Sequence, residues 1–212
     1  MKIVKITAIA AAVLAASGVS QLAYAEVSAN VGMVSQYHFR GIQQTSGASA
    51  SAGLDYENNG FYAGTWAADV DDGLEVDLYG GYGIELDSGI SLGFGVTTYQ
   101  YTGDFDSAYN EINLSAGYGL FSVGYSVGKW DGVVGDEAAT EGDYAILTLT
   151  IEKDGFSGTF GSYGKDAEGE YFDLAYGTEI GGFDVGVGIL FSGSDLNDDE
   201  SMYFSLSKSF DL

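Results

Sequence analysis

The sequence has no cysteine and no proline among its 212 residues. Without cysteine, the chain has neither a disulfide framework nor a cysteine-based metal site. Without proline, it lacks the stiff linkers that often separate domains. No disulfide therefore stabilises the chain.

Basic residues are also scarce, with 7 Lys and Arg against 31 Asp and Glu and a net charge of −24. Binding to nucleic acid needs a basic surface, so we expect no nucleic-acid partner. The only histidine is His38. It could act catalytically with Asp55 or Asp69, but no nucleophile motif or phosphate-binding loop accompanies it. We therefore predict that the protein is not an enzyme and uses no cofactor.

A long apolar run is absent beyond the first 25 residues. There, the basic segment MKIVK precedes the apolar run ITAIAAAVLAASGV, and the small-x-small triplet AYA follows at positions 23–25. This order is typical of a secretory signal peptide, and the run is short for a membrane anchor. We predict a cleaved signal peptide over residues 1–25 and one domain over residues 26–212.

Glycine and aromatic residues are abundant instead, with 33 Gly, 16 Tyr and 12 Phe, and 46% of the residues are hydrophobic. That hydrophobic share is too high for a disordered chain. An exported, acidic chain rich in glycine and tyrosine suits a β-barrel of a bacterial outer membrane. An acidic soluble β-protein is the alternative at this point.

Alternation with a period of two runs through most of the chain. The segment LEVDLYGGYGIEL, for example, places Leu74, Val76 and Leu78 on one face and Glu75 and Asp77 on the other. Most such segments have 9–13 residues, as a tilted membrane-spanning strand requires. We predict twelve strands, at residues 27–39, 48–57, 61–70, 74–86, 90–101, 109–119, 121–130, 144–153, 156–164, 171–180, 183–192 and 202–212.

The connections between these segments alternate between short and long. Short turns such as NNG, DSG, DG and GG alternate with longer acidic loops such as DGVVGDEAATEGD and SGSDLNDDE. Transmembrane barrels have short periplasmic turns and longer outer loops. The fold predicted is an all-β, antiparallel, up-and-down transmembrane barrel of about 12 strands. Lys208 then falls on the lipid face, where it must lie close enough to the headgroups to snorkel.

The inward positions of these strands would line a lumen rich in small residues and acids. A carboxylate-lined lumen concentrates cations, so a conducting barrel would prefer them. Large inward rings, at Tyr79, Tyr99, Trp130, Tyr163 and Tyr171, could fill part of the bore. The predicted channel-lining residues are His38, Arg40, Asp55, Glu57, Asp69, Glu75, Asp77 and Glu85.

The segment YHFRGIQQT, residues 37–45, holds the two rarest side chains. On a continuous first strand, Tyr37 and Phe39 would face lipid at the outer rim, and Gly41 would let the chain leave the wall. Arg40 would form a rim ion pair with Asp55, Asp69 or Asp71. Alternatively, Arg40 is a lone cation that keeps an acidic mouth open to anionic solutes.

Two functions remain open from the residues alone. The first is a small porin-like channel for passive passage of ions or small solutes. The second is a non-conducting structural barrel with acidic outer loops as its working surface. Those loops lack calcium-site spacing, so we predict solvated surfaces that exchange divalent cations with lipopolysaccharide, and no metal site. Nothing in the sequence defines an oligomer interface.

The segment YHFRGIQQT, followed by SAGLDYENNGFYAGTWAADVD, resembles the TorF family of porin-like outer-membrane proteins, also called Gcw_chp. The departures are His38 at a position that is usually another basic or polar residue, a missing proline before the second strand, and AADVD in the following loop. The final strand also resembles the signal read by the barrel assembly machinery, although it ends in Leu212 and not in an aromatic residue. The resemblance implies an outer-membrane location and solute passage, and it names no solute. The matching residues are Tyr37, Phe39, Arg40, Gly41, Ile42, Gln44, Thr45, Asp55, Tyr56, Gly60, Phe61, Tyr62, Gly64, Trp66, Val70 and Asp71.

Overall fold

The computed structural model describes residues 26–132 and 141–212. The predicted signal peptide and most of the longest predicted loop lie outside these ranges. Within them, twelve strands form a closed antiparallel barrel, and two short strands form a separate hairpin. In the described part of the chain, no helix has the length and hydropathy to cross a membrane.

The strands follow the predicted segments closely, apart from the first, and the described residues also contain a short 3₁₀ helix that was not predicted. The helix covers Ser194–Leu196. The hairpin strands are β2 (His38–Phe39) and β3 (Ile42–Gln43). The barrel strands are β1 (Glu26–Val34), β4 (Ser49–Asn58), β5 (Phe61–Asp69), β6 (Leu74–Glu85), β7 (Ile90–Tyr101), β8 (Tyr109–Tyr118), β9 (Phe121–Trp130), β10 (Gly142–Lys153), β11 (Phe156–Lys165), β12 (Glu170–Ile180), β13 (Phe183–Ser192) and β14 (Glu200–Asp211).

Each barrel strand pairs with its sequence neighbours, and β1 closes the cylinder by pairing with both β4 and β14. The closing ladder runs from Ser28 opposite Asp211 to Val34 opposite Ser205. Closure matters because lipid offers no hydrogen bonds to an open strand edge. The up-and-down order and the twelve-strand count predicted from the sequence are confirmed.

The large apolar side chains lie on the outside of the cylinder. Leu78, Phe94 and Leu114 lie near mid-strand, yet each exposes at least half of its surface. Their inward neighbours Asp77, Gly95 and Ser115 are small or acidic. This inside-out pattern is that of a barrel surrounded by lipid, and not of a soluble protein.

The tight turns share one end of the barrel and the long loops the other. Asn59–Gly60 and Asp154–Gly155 both have positive φ angles at the two central residues, 51° and 84° in the first and 52° and 86° in the second. Two consecutive residues with positive φ form the type I′ turn that matches strand twist. By the rule for outer-membrane barrels, this is the periplasmic end.

Lys208 lies on the outward face opposite Val31, as predicted. Its ammonium group lies 4.8 Å from the centre of the Phe183 ring and 5.5 Å from that of Phe210. Phe183 begins β13 immediately after a tight turn, so the lysine sits close to the periplasmic headgroups.

Two predictions about the wall are wrong. Asp69 points outward, because it pairs with outward-facing Leu74. Strand β5 carries alanines on both faces, so its alternation is weak. The inward face was therefore assigned from the polar residues alone, and that assignment is wrong. The first wall strand also ends at Val34, so Tyr37 and Phe39 do not face lipid.

The outward face gives a testable prediction. Leu114→Arg should lower the folding free energy in lipid vesicles by about 2–4 kcal/mol, because a charge near the bilayer centre is desolvated. Urea titration of the refolded protein measures this loss. Leu114→Met keeps the surface apolar and should change stability little. An arginine variant as stable as the methionine variant would contradict a lipid-facing position.

Candidate functional site

The segment Tyr37–Thr45 folds into the barrel as a hairpin, which we call the plug hairpin. In it, His38 pairs with Gln43 and Phe39 with Ile42. Arg40 and Gly41 form the tip, with φ angles of 51° and 88°. This is again type I′ geometry, so the hairpin is defined by its own turn. Gly41 therefore helps to reverse the chain at a hairpin tip inside the lumen, and does not lead the chain out of the wall.

The plug hairpin reaches across the lumen to strands on opposite sides of the barrel. The Tyr163 hydroxyl on β11 donates to the Arg40 carbonyl at 3.0 Å, and the Ser192 hydroxyl on β13 donates to the Gly41 carbonyl. Phe39 packs on Tyr99 of β7, with ring centres 5.3 Å apart. Contacts all around the wall make the hairpin a plug and not a surface loop.

Arg40 forms the central polar contact of the plug. Its two terminal nitrogens donate to the Glu111 carboxylate at 2.6 and 3.0 Å, and one also reaches the Ser126 hydroxyl at 3.3 Å. Glu111 further accepts hydrogen bonds from the Tyr99 and Tyr144 hydroxyls, at 3.2 and 3.0 Å. The Arg40 side chain is 4% exposed and that of Glu111 is 0% exposed. Removing one partner of such a buried pair costs about 3–5 kcal/mol.

Two more carboxylates, Glu75 and Asp77, are buried on β6. Glu75 accepts hydrogen bonds from the Tyr37 hydroxyl at 2.7 Å and from the Tyr101 hydroxyl at 2.9 Å. One oxygen of Asp77 has no hydrogen-bond partner in the protein. With Glu111, this layer holds three carboxyl groups and one guanidinium group, and the guanidinium group is paired with Glu111.

Apolar contacts complete the seat of the plug. Ile42 packs against a buried cluster on the far wall, formed by Ile146, Tyr171, Leu190 and Leu196. Tyr37 packs with Ala68 and Val70 on the near wall, with Trp66 against its edge. Tyr171 is one of the inward rings that were predicted to fill the bore. Together with the hairpin, these apolar contacts make the outer half of the barrel resemble a protein core.

His38 lies on the plug beside the rim of β14. Its Nε2 atom is 3.9 Å from the Asp199 carboxylate, and neither ring nitrogen has a hydrogen-bond partner. Burial lowers the pKa of His38 below its ordinary value of 6.5, and Asp199 opposes the shift only in part. The seated histidine is therefore neutral near pH 7.

The lumen between the plug and the periplasmic end is lined differently. A cavity of about 30 Å³ lies against Arg40, with Tyr62, Gly95, Ser126 and Thr148 among its lining residues. Below it, Asp55 accepts hydrogen bonds from Asn30 and Tyr79, and Asp173 from Tyr203. The inward positions at the periplasmic end carry seven acids, Glu26, Glu57, Glu85, Glu152, Glu179, Asp184 and Asp211.

The structure separates the predicted channel-lining residues into three groups. His38 and Arg40 are inside the barrel, but on the plug hairpin and not on a wall strand. Asp69 is on the outer face. The rest lie on inward faces, and Glu75 and Asp77 share the buried layer with Arg40. The inward wall residues are Asp55, Glu57, Glu75, Asp77 and Glu85.

The partner of Arg40 differs from the prediction. It is Glu111, and not Asp55, Asp69 or Asp71. Glu111 alternates with outward Ile112 on β8, so its inward parity was readable from the sequence. The pairing itself was not readable, because Arg40 and Glu111 are 71 residues apart. Among residues 26–132 and 141–212, no three His, Cys, Asp or Glu side chains could hold a metal ion together.

Gly41 gives a second prediction. A Cβ atom there would lie 2.7 Å from the Tyr171 Cβ and would require a left-handed backbone. Gly41→Ala should therefore weaken seating of the plug by at least about 1–2 kcal/mol. Trp66 fluorescence in a Trp130→Phe background should shift to longer wavelength as Tyr37 leaves. Gly47→Ala is the matched control, since a Cβ there meets nothing within 4 Å. Equal spectra for both variants would contradict the seat.

The lowered pKa of His38 gives a third prediction. Below pH 6.5 a withdrawn histidine takes up a proton that the seated one resists, so seating is complete above that pH and weakens as pH falls. The same fluorescence signal should shift between about pH 7.5 and pH 5.5. His38→Gln should flatten that response. A pH response that survives in His38→Gln would assign it to other groups.

Solved structures share this architecture. A membrane protein from a study of "the Mechanism Behind the in-meso Crystallization of Membrane Proteins" matches with a TM-score of 0.62 and 11% identity, covering 88% of this chain and 84% of the other. At that identity the likeness concerns the fold alone. None of the curated proteins matches the chain in sequence.

Two further barrels are more distant. The outer membrane proteins OprD and opdK from Pseudomonas aeruginosa match with TM-scores of 0.39 and 0.41, at 11% and 13% identity. Each match covers 88% of this chain, but only 65% of OprD and 67% of opdK. At such TM-scores, neither a shared pore geometry nor a shared function follows.

The family comparison covers more than half of the chain. Residues 19–154 match the family described as "Bacterial protein of unknown function (Gcw_chp)". This range includes the plug hairpin and strands β1 to β10, as well as Glu75, Asp77 and Glu111. The chain belongs to the Gcw_chp family of bacterial proteins.

Proposed function

We propose that this protein is a porin-like channel of the bacterial outer membrane, for passive passage of ions or small solutes. The observation that carries the proposal is the lining of the lumen on the periplasmic side of the plug. Inward positions there are mostly glycine, serine and threonine, for example Gly93, Ser115 and Gly124. Small residues leave volume for water, whereas a purely structural barrel of this size would fill its interior with interlocking side chains.

The proposed channel prefers cations. Seven carboxylates at inward positions surround its periplasmic end, and Asp55 and Asp173 lie deeper in the lumen. Of the five basic residues beyond position 25, Arg40 is neutralised by Glu111, while Lys129 and Lys208 lie on the outward face. A wall of carboxylates raises the local cation concentration and repels anions.

The proposal extends to how the protein reaches its site. We infer export through a signal peptide at residues 1–25, followed by insertion through the barrel assembly machinery. Lipid and lipopolysaccharide then surround the apolar face. The resemblance to the TorF family of porin-like proteins supports the same assignment, and the solute is a small cation or neutral molecule.

A second candidate is a non-conducting barrel. The layer formed by Arg40, Glu75, Asp77, Glu111 and the plug hairpin favours it, because these side chains are almost inaccessible to water. If the hairpin never leaves, no solute passes. The acidic outer loops would then be the working surface.

Planar-bilayer recording tests the channel. The full-length protein purified from outer membranes should conduct, and under a KCl gradient its reversal potential should have the sign of cation selectivity. Replacing residues 37–45 by a Gly-Ser segment of equal length should increase conductance and keep the selectivity. Silence of both proteins would favour the non-conducting barrel. An anion-selective reversal potential would overturn the cation preference alone.

A further inference from the structure

The plug hairpin is covalently part of the barrel but not part of its hydrogen-bonded wall. Strands β2 and β3 pair only with each other. The backbone-to-backbone hydrogen bonds of the hairpin stay within it, from the amides of Gln44 and Thr45 to the Tyr37 carbonyl. The exception is the Asp71 amide of the neighbouring loop, which donates to the Gln44 carbonyl. Withdrawal of the hairpin would therefore leave every barrel ladder intact.

The ends of the hairpin are fixed at the outer rim. The Ser35 amide donates to the Phe204 carbonyl at 2.9 Å. The Ser46 amide donates to the Asp71 carboxylate at 2.9 Å. Between these anchors, no backbone-to-backbone hydrogen bond joins the hairpin to a wall strand. Each hydrogen bond there involves a side chain of the hairpin or of the wall, such as the Tyr163 and Ser192 hydroxyls that donate to the Arg40 and Gly41 carbonyls. The hairpin can thus swing outward on two fixed ends.

The closed state contains polar atoms that lack partners. Among the described residues, five buried side-chain atoms have no hydrogen bond, and four of them belong to His38, Arg40 and Asp77 at the seat of the plug. Each such atom regains hydration when the layer opens to water. The three wall carboxylates would also become solvated. These gains offset part of the free energy of apolar packing that is lost when the hairpin leaves its seat.

We infer that the plug hairpin is a movable gate, closed when Arg40 is paired with Glu111. The inference rests on the proposed channel function. In the closed position the hairpin fills the outer half of the lumen. In the open position it lies at the outer mouth, and Glu75, Asp77 and Glu111 line a hydrated passage whose charge suits cations. Arg40 thus acts as the latch that holds this passage shut.

A zinc bridge tests the movement. The His38 Nε2 and the Asp199 carboxylate are 3.9 Å apart. Two ligand atoms of one tetrahedral zinc ion lie at roughly 3.5 Å, given bonds of about 2.1–2.3 Å. Asp199→Cys, in a chain without other cysteines, therefore offers a His-Cys pair between the plug and the wall rim. The backbone of Asp199 is held by the amide of Ser192 at 2.8 Å, so the wall side is fixed.

Micromolar zinc should lower the mean current of Asp199→Cys about tenfold, and EDTA should restore it. The wild type and the double variant His38→Gln, Asp199→Cys should not respond. Protection of the cysteine from maleimide reports the bridge independently of current. A bridged protein with unchanged current would overturn the gate. Equal protection with and without His38 would contradict the seat on which the gate depends.

The latch has its own test. Arg40→Gln leaves Glu111 without its charged partner, so the open fraction in single-channel records should rise about tenfold or more. Lys129→Gln is the control, because Lys129 forms an exposed ion pair with Asp143 near the same rim. An open fraction for Arg40→Gln equal to that of Lys129→Gln would overturn the latch. Silence of the hairpin-replaced protein would instead count against the channel itself.

Discussion

The buried ion pair between Arg40 and Glu111 determines how the outer half of this barrel is filled. Its carboxylate belongs to a layer that is acidic on β6 and β8, and its guanidinium group is the one buried cation among the described residues. The pair brings the tip of a hairpin from the first loop to the far wall. Tyr99 and Tyr144 then complete the hydrogen bonding of Glu111. Without Arg40, the Glu111 carboxylate would lose its charged partner in a layer that excludes water.

The interior of the barrel is consequently packed in its outer half and polar in its periplasmic half. Around the plug, large inward side chains such as Tyr171 and Leu190 pack as in a soluble core. Toward the periplasm, the same strands carry glycine and serine, and their polar groups face water. Outside, both halves present the same apolar band to lipid. A single period-two pattern thus places apolar side chains against lipid outside, small and polar side chains against water in one half of the lumen, and a packed core in the other half.

The fold was readable from the sequence because a lipid-facing barrel repeats one strong signal twelve times. The sorting of loop lengths by parity supported it independently. The plug hairpin was not readable for a specific reason. The alternation of β1 continues from Val34 through Phe39, so the segment looks like more wall, and Arg-Gly is not among the favoured Asn-Gly or Asp-Gly pairs of a type I′ turn. The orientation of Asp69 was predicted wrongly for the opposite reason. Strand β5 has alanine on both faces, so its alternation is too weak to show which face is inward. The partner of Arg40 depends on how distant strands are arranged around the cylinder, which local pattern does not encode.

The position of the plug hairpin in the chain also has a consequence for assembly. The hairpin follows the first strand, yet its wall partners are separated from it by 71 residues at Glu111, 123 at Tyr163 and 151 at Ser192. Such contacts cannot form until the strands that carry them are in place. The hairpin is therefore synthesised early and seated last, after β13 has joined the cylinder. A seated plug therefore indicates that the barrel is complete. Until then, the Arg-Gly tip of the hairpin stays exposed in the nascent chain.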